Sequence, residues 1–89
     1  MVLESTLIAM NAKIEDNVFI WGRNNVGHDA TIKKHSFITA NVSIGGYVEV
    51  GSECFIGASS TLRDHITVGD KCLIGSGVLV LKNQKIKVQ

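Results

Sequence analysis

An aliphatic residue recurs at every sixth position along the chain: Val2, Ile8, Ile14, Ile20, Val26, Ile32, Ile38, Ile44, Val50, Ile56, Leu62, Val68, Ile74, Val80 and Ile86. All are Val, Ile or Leu, types that supply only 26 of the 89 residues. Composition alone would produce such a run with odds of about 10⁻⁸, so the period belongs to the fold. Four residues after each of these comes a second position, mostly small or β-branched: Thr6, Ala12, Val18, Ala30, Ser36, Val42, Val48, Cys54, Ser60, Ile66, Cys72 and Val78, with Asn24 and Gln84 as exceptions. Glycine follows the aliphatic residue directly at 27, 45, 51, 57, 69 and 75, where a short strand is expected to bend sharply. A helix of period 3.6 cannot keep a six-residue repeat on one face for so long, and a hairpin meander needs longer strands alternating with period two. Short strands joined by tight corners predict a parallel β-helix.

Segments such as Ile44-Gly-Gly-Tyr-Val-Glu, Val50-Gly-Ser-Glu-Cys-Phe, Ile56-Gly-Ala-Ser-Ser-Thr and Ile74-Gly-Ser-Gly-Val-Leu carry this pattern most fully. In them the sequence resembles the hexapeptide-repeat proteins. The resemblance implies an all-β fold, a left-handed parallel β-helix with eighteen residues per triangular coil. The whole chain, 1–89, then reads as one domain of about five coils.

The composition agrees with one small globular domain: 45% of residues are hydrophobic and the formal net charge is +1. Nine basic and eight acidic residues are mixed along the chain, although Lys82, Lys85 and Lys87 gather near the C-terminus. No basic stripe suited to a phosphate backbone results, so a nucleic-acid partner is not expected. The longest aliphatic run, Val78 to Leu81, is too short for a bilayer, and no signal peptide is apparent. A cytoplasmic protein without a membrane partner is the expectation. Cys54 and Cys72 do not have a zinc-site spacing, and eighteen residues apart they stack at the inward position as free thiols.

An eighteen-residue coil turns sequence into columns about 4.8 Å apart. The second residue after each aliphatic position defines three outward columns. One reads Met10, His28, Gly46, Asp64, Lys82; another Glu4, Gly22, Ala40, Ala58, Ser76; the third Asp16, Lys34, Ser52, Asp70. The small column leaves a shallow channel suited to a slender chain such as pantetheine, or to a close subunit contact. In the first column Gly46 leaves the imidazole of His28 facing open space and a bare backbone N–H, an arrangement suited to acyl transfer. His35 and His65 fall in ordinary solvated columns, His65 with Asn11, Asp29 and Tyr47.

From about Trp21 to Val80, and above all in Asn25-Val-Gly-His-Asp-Ala-Thr-Ile, the chain is similar to bacterial sialic-acid O-acetyltransferases and nucleotide-aminosugar N-acetyltransferases. That resemblance implies His28 as general base with Asp29 as its acidic partner, Gly46 as oxyanion donor, and Ala58 and Ser76 in contact with acetyl-CoA. It further implies a homotrimer acting on a sugar or nucleotide-sugar hydroxyl or amine, with the site between subunits. Where some relatives place a cofactor-contacting histidine, this chain has Phe37. Relatives usually carry an N-terminal Rossmann-like nucleotide-sugar-binding domain, and neither its length nor its glycine fingerprint is found, so that domain is expected to be absent. No metal is expected, because the positions that would complete a γ-carbonic-anhydrase-type site with His28 hold Asp64 and Gly69. The alternative is a non-catalytic trimeric remnant or interaction scaffold; the ladders of outward Thr that ice binding wants are missing.

Overall fold

The computed structural model of the protein describes residues 6–83. Val2, Glu4, Gln84, Lys85, Ile86 and Lys87 therefore lie outside the described residues. Thirteen parallel strands of two residues each are described, and they form three sheets. The first sheet stacks Leu7–Ile8, Asn25–Val26, Ser43–Ile44, Thr61–Leu62 and Leu79–Val80. Lys13–Ile14, Thr31–Ile32, Glu49–Val50 and Thr67–Val68 make the second, and Phe19–Ile20, Phe37–Ile38, Phe55–Ile56 and Leu73–Ile74 the third. Every pairing joins residues eighteen apart, as in Leu7↔Asn25 and Ile38↔Ile56. Consecutive strands always fall in different sheets, so the chain coils around a triangular prism about 28 Å long and 21 Å across. This is an all-β solenoid of about four turns, the architecture expected of a left-handed β-helix of hexapeptide repeats.

The sixfold aliphatic positions and those four residues later both point inward, and together they are the core: Ile20, Ile32, Ile38, Ile56 and Ile74 are fully buried, as are Val18, Val42 and Val48. Each two-residue strand offers only one inward side chain, so a second inward position per corner is needed to fill the prism at ordinary interior density. Polar residues there are satisfied. Asn24 Nδ2 donates to the Trp21 carbonyl at 3.2 Å and its Oδ1 accepts from Val42 N at 2.7 Å, while Ser36 and Ser60 hydroxyls donate to the Gly51 and Gly75 carbonyls. Cys54 and Cys72 are buried free thiols, and burial pushes both pKa values up.

The corners turn at a different residue from the one the glycines suggested. Positive φ falls three residues after each aliphatic position, at Asn11, Asn17, Arg23, Asp29, His35, Asn41, Tyr47, Glu53, Ser59, His65, Lys71 and Gly77, all between 58° and 70°. None of these is β-branched, as a left-handed corner requires. The glycines directly after the aliphatic residues instead admit the next coil. A Cβ at Gly27 would lie 2.6 Å from Gly45 C and Gly46 N, and one at Gly57 2.6 Å from Ser76 N. Among the described residues no helix is long and apolar enough to cross a membrane.

Candidate functional site

His28 stands on the corner that joins the first sheet to the second, on the exposed outside of the prism. Its Nδ1 lies 3.3 Å from Asp29 Oδ2. In the tautomer that donates Nδ1–H to this carboxylate, Nε2 carries the free lone pair. Gly46, one coil on, makes room for that nitrogen: any side chain there would begin 2.9 Å from Nε2. The sequence-derived pair and the glycine thus meet at one spot.

Two further features of this corner were not foreseen. Tyr47 packs edge-on against the imidazole of His28, ring centroids 5.1 Å apart, and His65 stacks on Tyr47 at 5.0 Å with planes 3° from parallel. His65, read as an ordinary solvated residue, therefore buttresses the wall beside His28. The signal was in the register, since Asp29, Tyr47 and His65 occupy successive rungs of one column. Asp64 Oδ1 accepts a hydrogen bond from Gly46 N at 3.2 Å. The same arrangement recurs on the third corner, where Ser52 N donates to Asp70 Oδ1 at 2.8 Å.

Ala58 and Ser76 lie on another corner, the one joining the third sheet to the first. The outward face of the first sheet separates them from His28. Their backbone amides, and that of Ala40, have no acceptor among the described residues, because the second corner residue joins the rungs between coils through its carbonyl only, as where Ser59 N donates to the Ala40 carbonyl and Gly77 N to the Ala58 carbonyl. Across residues 57–59 and 75–77 this corner carries only Gly, Ala and Ser, and the backbone is nearly bare. It is a lane of small side chains with outward N–H donors. Among the described residues no group of three or more His, Cys, Asp or Glu is placed to hold a metal.

Two families match the chain: the bacterial transferase hexapeptide (six repeats) over residues 11–46, and the hexapeptide repeat of succinyl-transferase over residues 47–82. No curated protein sequence matches it. Among solved structures it is similar to PerB from Caulobacter crescentus in complex with CoA and GDP-perosamine, with 17% identity and a TM-score of 0.59 over 98% of this chain and 51% of that one. A candidate acetyltransferase from Bacillus cereus is also similar, at 17% identity and TM-score 0.52, over 97% of this chain and 67% of that one. The chain spans about half the length of the first of these relatives.

Proposed function

The chain belongs to the hexapeptide-repeat proteins, whose repeat it carries from residue 11 to residue 82, and on that basis we propose that it transfers an acetyl group from acetyl-CoA to a sugar or nucleotide-sugar hydroxyl or amine. The observation that carries the reading is the His28–Asp29 pair at 3.3 Å, with Gly46 keeping open the space over Nε2. PerB, a relative of the same fold, is complexed with CoA and GDP-perosamine.

In this reading His28 Nε2 takes the proton from the acceptor as its oxygen or nitrogen attacks the thioester carbonyl. Asp29, on the other ring nitrogen, fixes the tautomer and offsets the positive charge that the ring gains. The tetrahedral oxyanion accepts a hydrogen bond from Gly46 N–H, which the Asp64 carboxylate holds in the free protein and gives up when the donor enters. Collapse breaks the C–S bond, and the proton on His28 leaves with the CoA thiol. The pantetheine arm lies along the small corner, where Ala58 and Ser76 amides are unoccupied donors.

His28 and the Ala58–Ser76 lane stand on different corners of one prism. Three copies around an axis parallel to the coils, each turning its first sheet inward, bring the His28 corner of one copy beside the small corner of the next. The site is then shared between subunits of a homotrimer.

The test is calorimetric titration with acetyl-CoA, coupled to sedimentation of the same sample. One site per chain in a trimer is expected, and His28→Ala keeps both the trimer and donor binding while abolishing transfer to an aminosugar nucleotide. No heat at millimolar donor would leave a trimeric scaffold and overturn the enzyme reading. Transfer that survives in His28→Ala would remove that residue from the role of base.

A further inference from the structure

The corner proposed to take the donor is not uniform along its length. Directly after the aliphatic positions its first column reads Trp21, Thr39, Gly57, Gly75, so bulk falls to nothing from the N-terminal coil upward. Trp21 is half exposed. Its ring is buttressed by Phe19 at 5.7 Å, and Phe19 in turn stacks on Phe37 at 4.8 Å. The Trp21 backbone is tied on both sides: its N–H donates to the Ile38 carbonyl at 2.9 Å, and its carbonyl accepts from Thr6 Oγ1 at 2.9 Å and Asn24 Nδ2 at 3.2 Å. The indole stands against Phe19 at the N-terminal end of a corner that carries only Gly, Ala and Ser over residues 57–59 and 75–77.

Height along the solenoid decides which end of a donor meets the indole. Each coil of eighteen residues rises about 4.8 Å. Ala58 and Ser76, thirty and forty-eight residues beyond His28, stand about 8 Å and 13 Å above it. Trp21, seven residues before His28, is about 2 Å below. A threefold axis parallel to the coils leaves these heights unchanged between copies. Gly46 stands about 5 Å above His28, and Thr39, eleven residues beyond His28, about 3 Å above it. A donor whose thioester lies between the levels of His28 and Gly46 is then beside Thr39 and Ala40, runs its pantetheine arm upward over the bare coils, and points its acyl chain down toward the indole.

We propose that Trp21 closes the acyl end of the donor lane and limits the site to short acyl groups. The assignment rests on the reading of this chain as an acyl-CoA-dependent transferase. An acetyl methyl ends above the indole, beside Thr39, whereas each further methylene runs toward a ring that packs on Phe19. A hydrophobic stop of this kind discriminates by roughly 10-fold to 200-fold per methylene.

Trp21 is the only tryptophan in the chain, so it reports on its own surroundings. The experiment pairs calorimetry with indole fluorescence, using CoA, acetyl-CoA and butyryl-CoA as probes, on the wild-type chain and on Trp21→Ala and Trp21→Phe. Acetyl-CoA is expected to shift the indole emission more than CoA does, and butyryl-CoA to bind at least about tenfold more weakly than acetyl-CoA. Trp21→Ala should erase that ratio; Trp21→Phe, which keeps a ring against Phe19, should retain part of it and serves if the alanine variant does not fold. Heat from acetyl-CoA with unchanged indole emission, or an unchanged affinity ratio in the variants, would overturn the assignment while leaving the donor reading intact. Absence of heat with every donor would overturn the donor reading itself, and this assignment with it.

Discussion

Replacing Gly57 and Gly46 separately by alanine distinguishes two reasons for a glycine that the sequence cannot separate. At Gly57 the new Cβ would lie 2.6 Å from Ser76 N, 2.7 Å from Gly75 C and 2.9 Å from the Ile74 carbonyl oxygen, all backbone of the next coil. The shortest is 0.8 Å inside the 3.4 Å at which ordinary contact begins. That backbone cannot step aside, because Gly57 N donates to the Ile74 carbonyl at 2.7 Å and Gly77 N to the Ala58 carbonyl at 2.8 Å. Overpacking of this kind costs about 1–3 kcal/mol, and three simultaneous backbone contacts put the cost near the upper end. At about 4–8 °C per kcal/mol for a domain of this size, the melting temperature should fall by roughly 8–20 °C. At Gly46 all three contacts, at 2.9, 3.0 and 3.3 Å, are with ring atoms at the far end of His28, an exposed side chain that can turn aside by giving up its contacts with Asp29 and Tyr47. The alanine also restricts the unfolded chain, which is worth about 0.4–1 kcal/mol, so Gly46→Ala should melt within about 4 °C of wild type. What it should change is the His28 ring environment, read as a shift of the imidazole carbon-bound protons in NMR. Scanning calorimetry at one fixed protomer concentration is the assay, since an oligomer's melting point moves with concentration. Equal losses at the two sites would refute the account, as would a Gly57→Ala protein that melts like wild type.

Asp64→Ala should release the Gly46 amide, moving its NMR resonance and raising acetyl-CoA affinity by roughly threefold to tenfold; Asp70→Ala should move Ser52 instead and leave donor affinity alone. Asn24→Leu strips the partner from the buried Val42 N–H, and chemical denaturation should show a loss of about 1–3 kcal/mol. Burial raises the Cys54 and Cys72 thiol pKa values above their usual 9.0, so the native state holds these protons to higher pH than the unfolded chain does. That contribution is complete below the usual thiol value and is lost as pH rises through the raised native values. Melting temperature should therefore fall in the alkaline range, less steeply in a Cys54→Ala, Cys72→Ala protein, and neither thiol should react with a thiol reagent at neutral pH until the chain unfolds.

The core was legible because a two-residue strand leaves no freedom about which residue points inward. Ile20, Ile38 and Ile56 could be placed from the six-residue period alone, and so could the stacking of Cys54 on Cys72. The corners were legible in register but not in mechanism. Gly27 and Gly57 looked like bending points, whereas the turn is made two residues later and the glycines serve close approach between coils. A period reports which residues stack, and it is silent on φ. Nor does it report where side chains reach across a column. Tyr47 against His28, and Asp64 on the Gly46 amide, are set by rotamers, and columns of Cα positions carry none of that information.

The left-handed corner position sharpens which site residues carry functional information. Asn, Asp and His are several-fold enriched among non-glycine residues at positive φ, Asn and Asp because a short polar side chain can hydrogen-bond locally there. Asn11, Asn17, Asp29 and Asn41 need no other reason to stand where they do. Asp29 would be unremarkable there even on a solenoid without chemistry, so its identity alone says little, and its weight comes from the 3.3 Å contact with His28. Tyr47 is different. It holds a bulky ring at φ near +60° with no local backbone advantage, and its ring lies against His28, with His65 stacked behind it. Backbone strain is retained where the surroundings over-determine it, and such places cluster at functional sites. His35 has the same positive φ with no ring contact among the described residues, on the corner of Lys34 and Ser52. Positive φ alone therefore marks no site on this prism; a bulky ring held there that meets His28 marks one, and it marks the corner where Gly46 has left room.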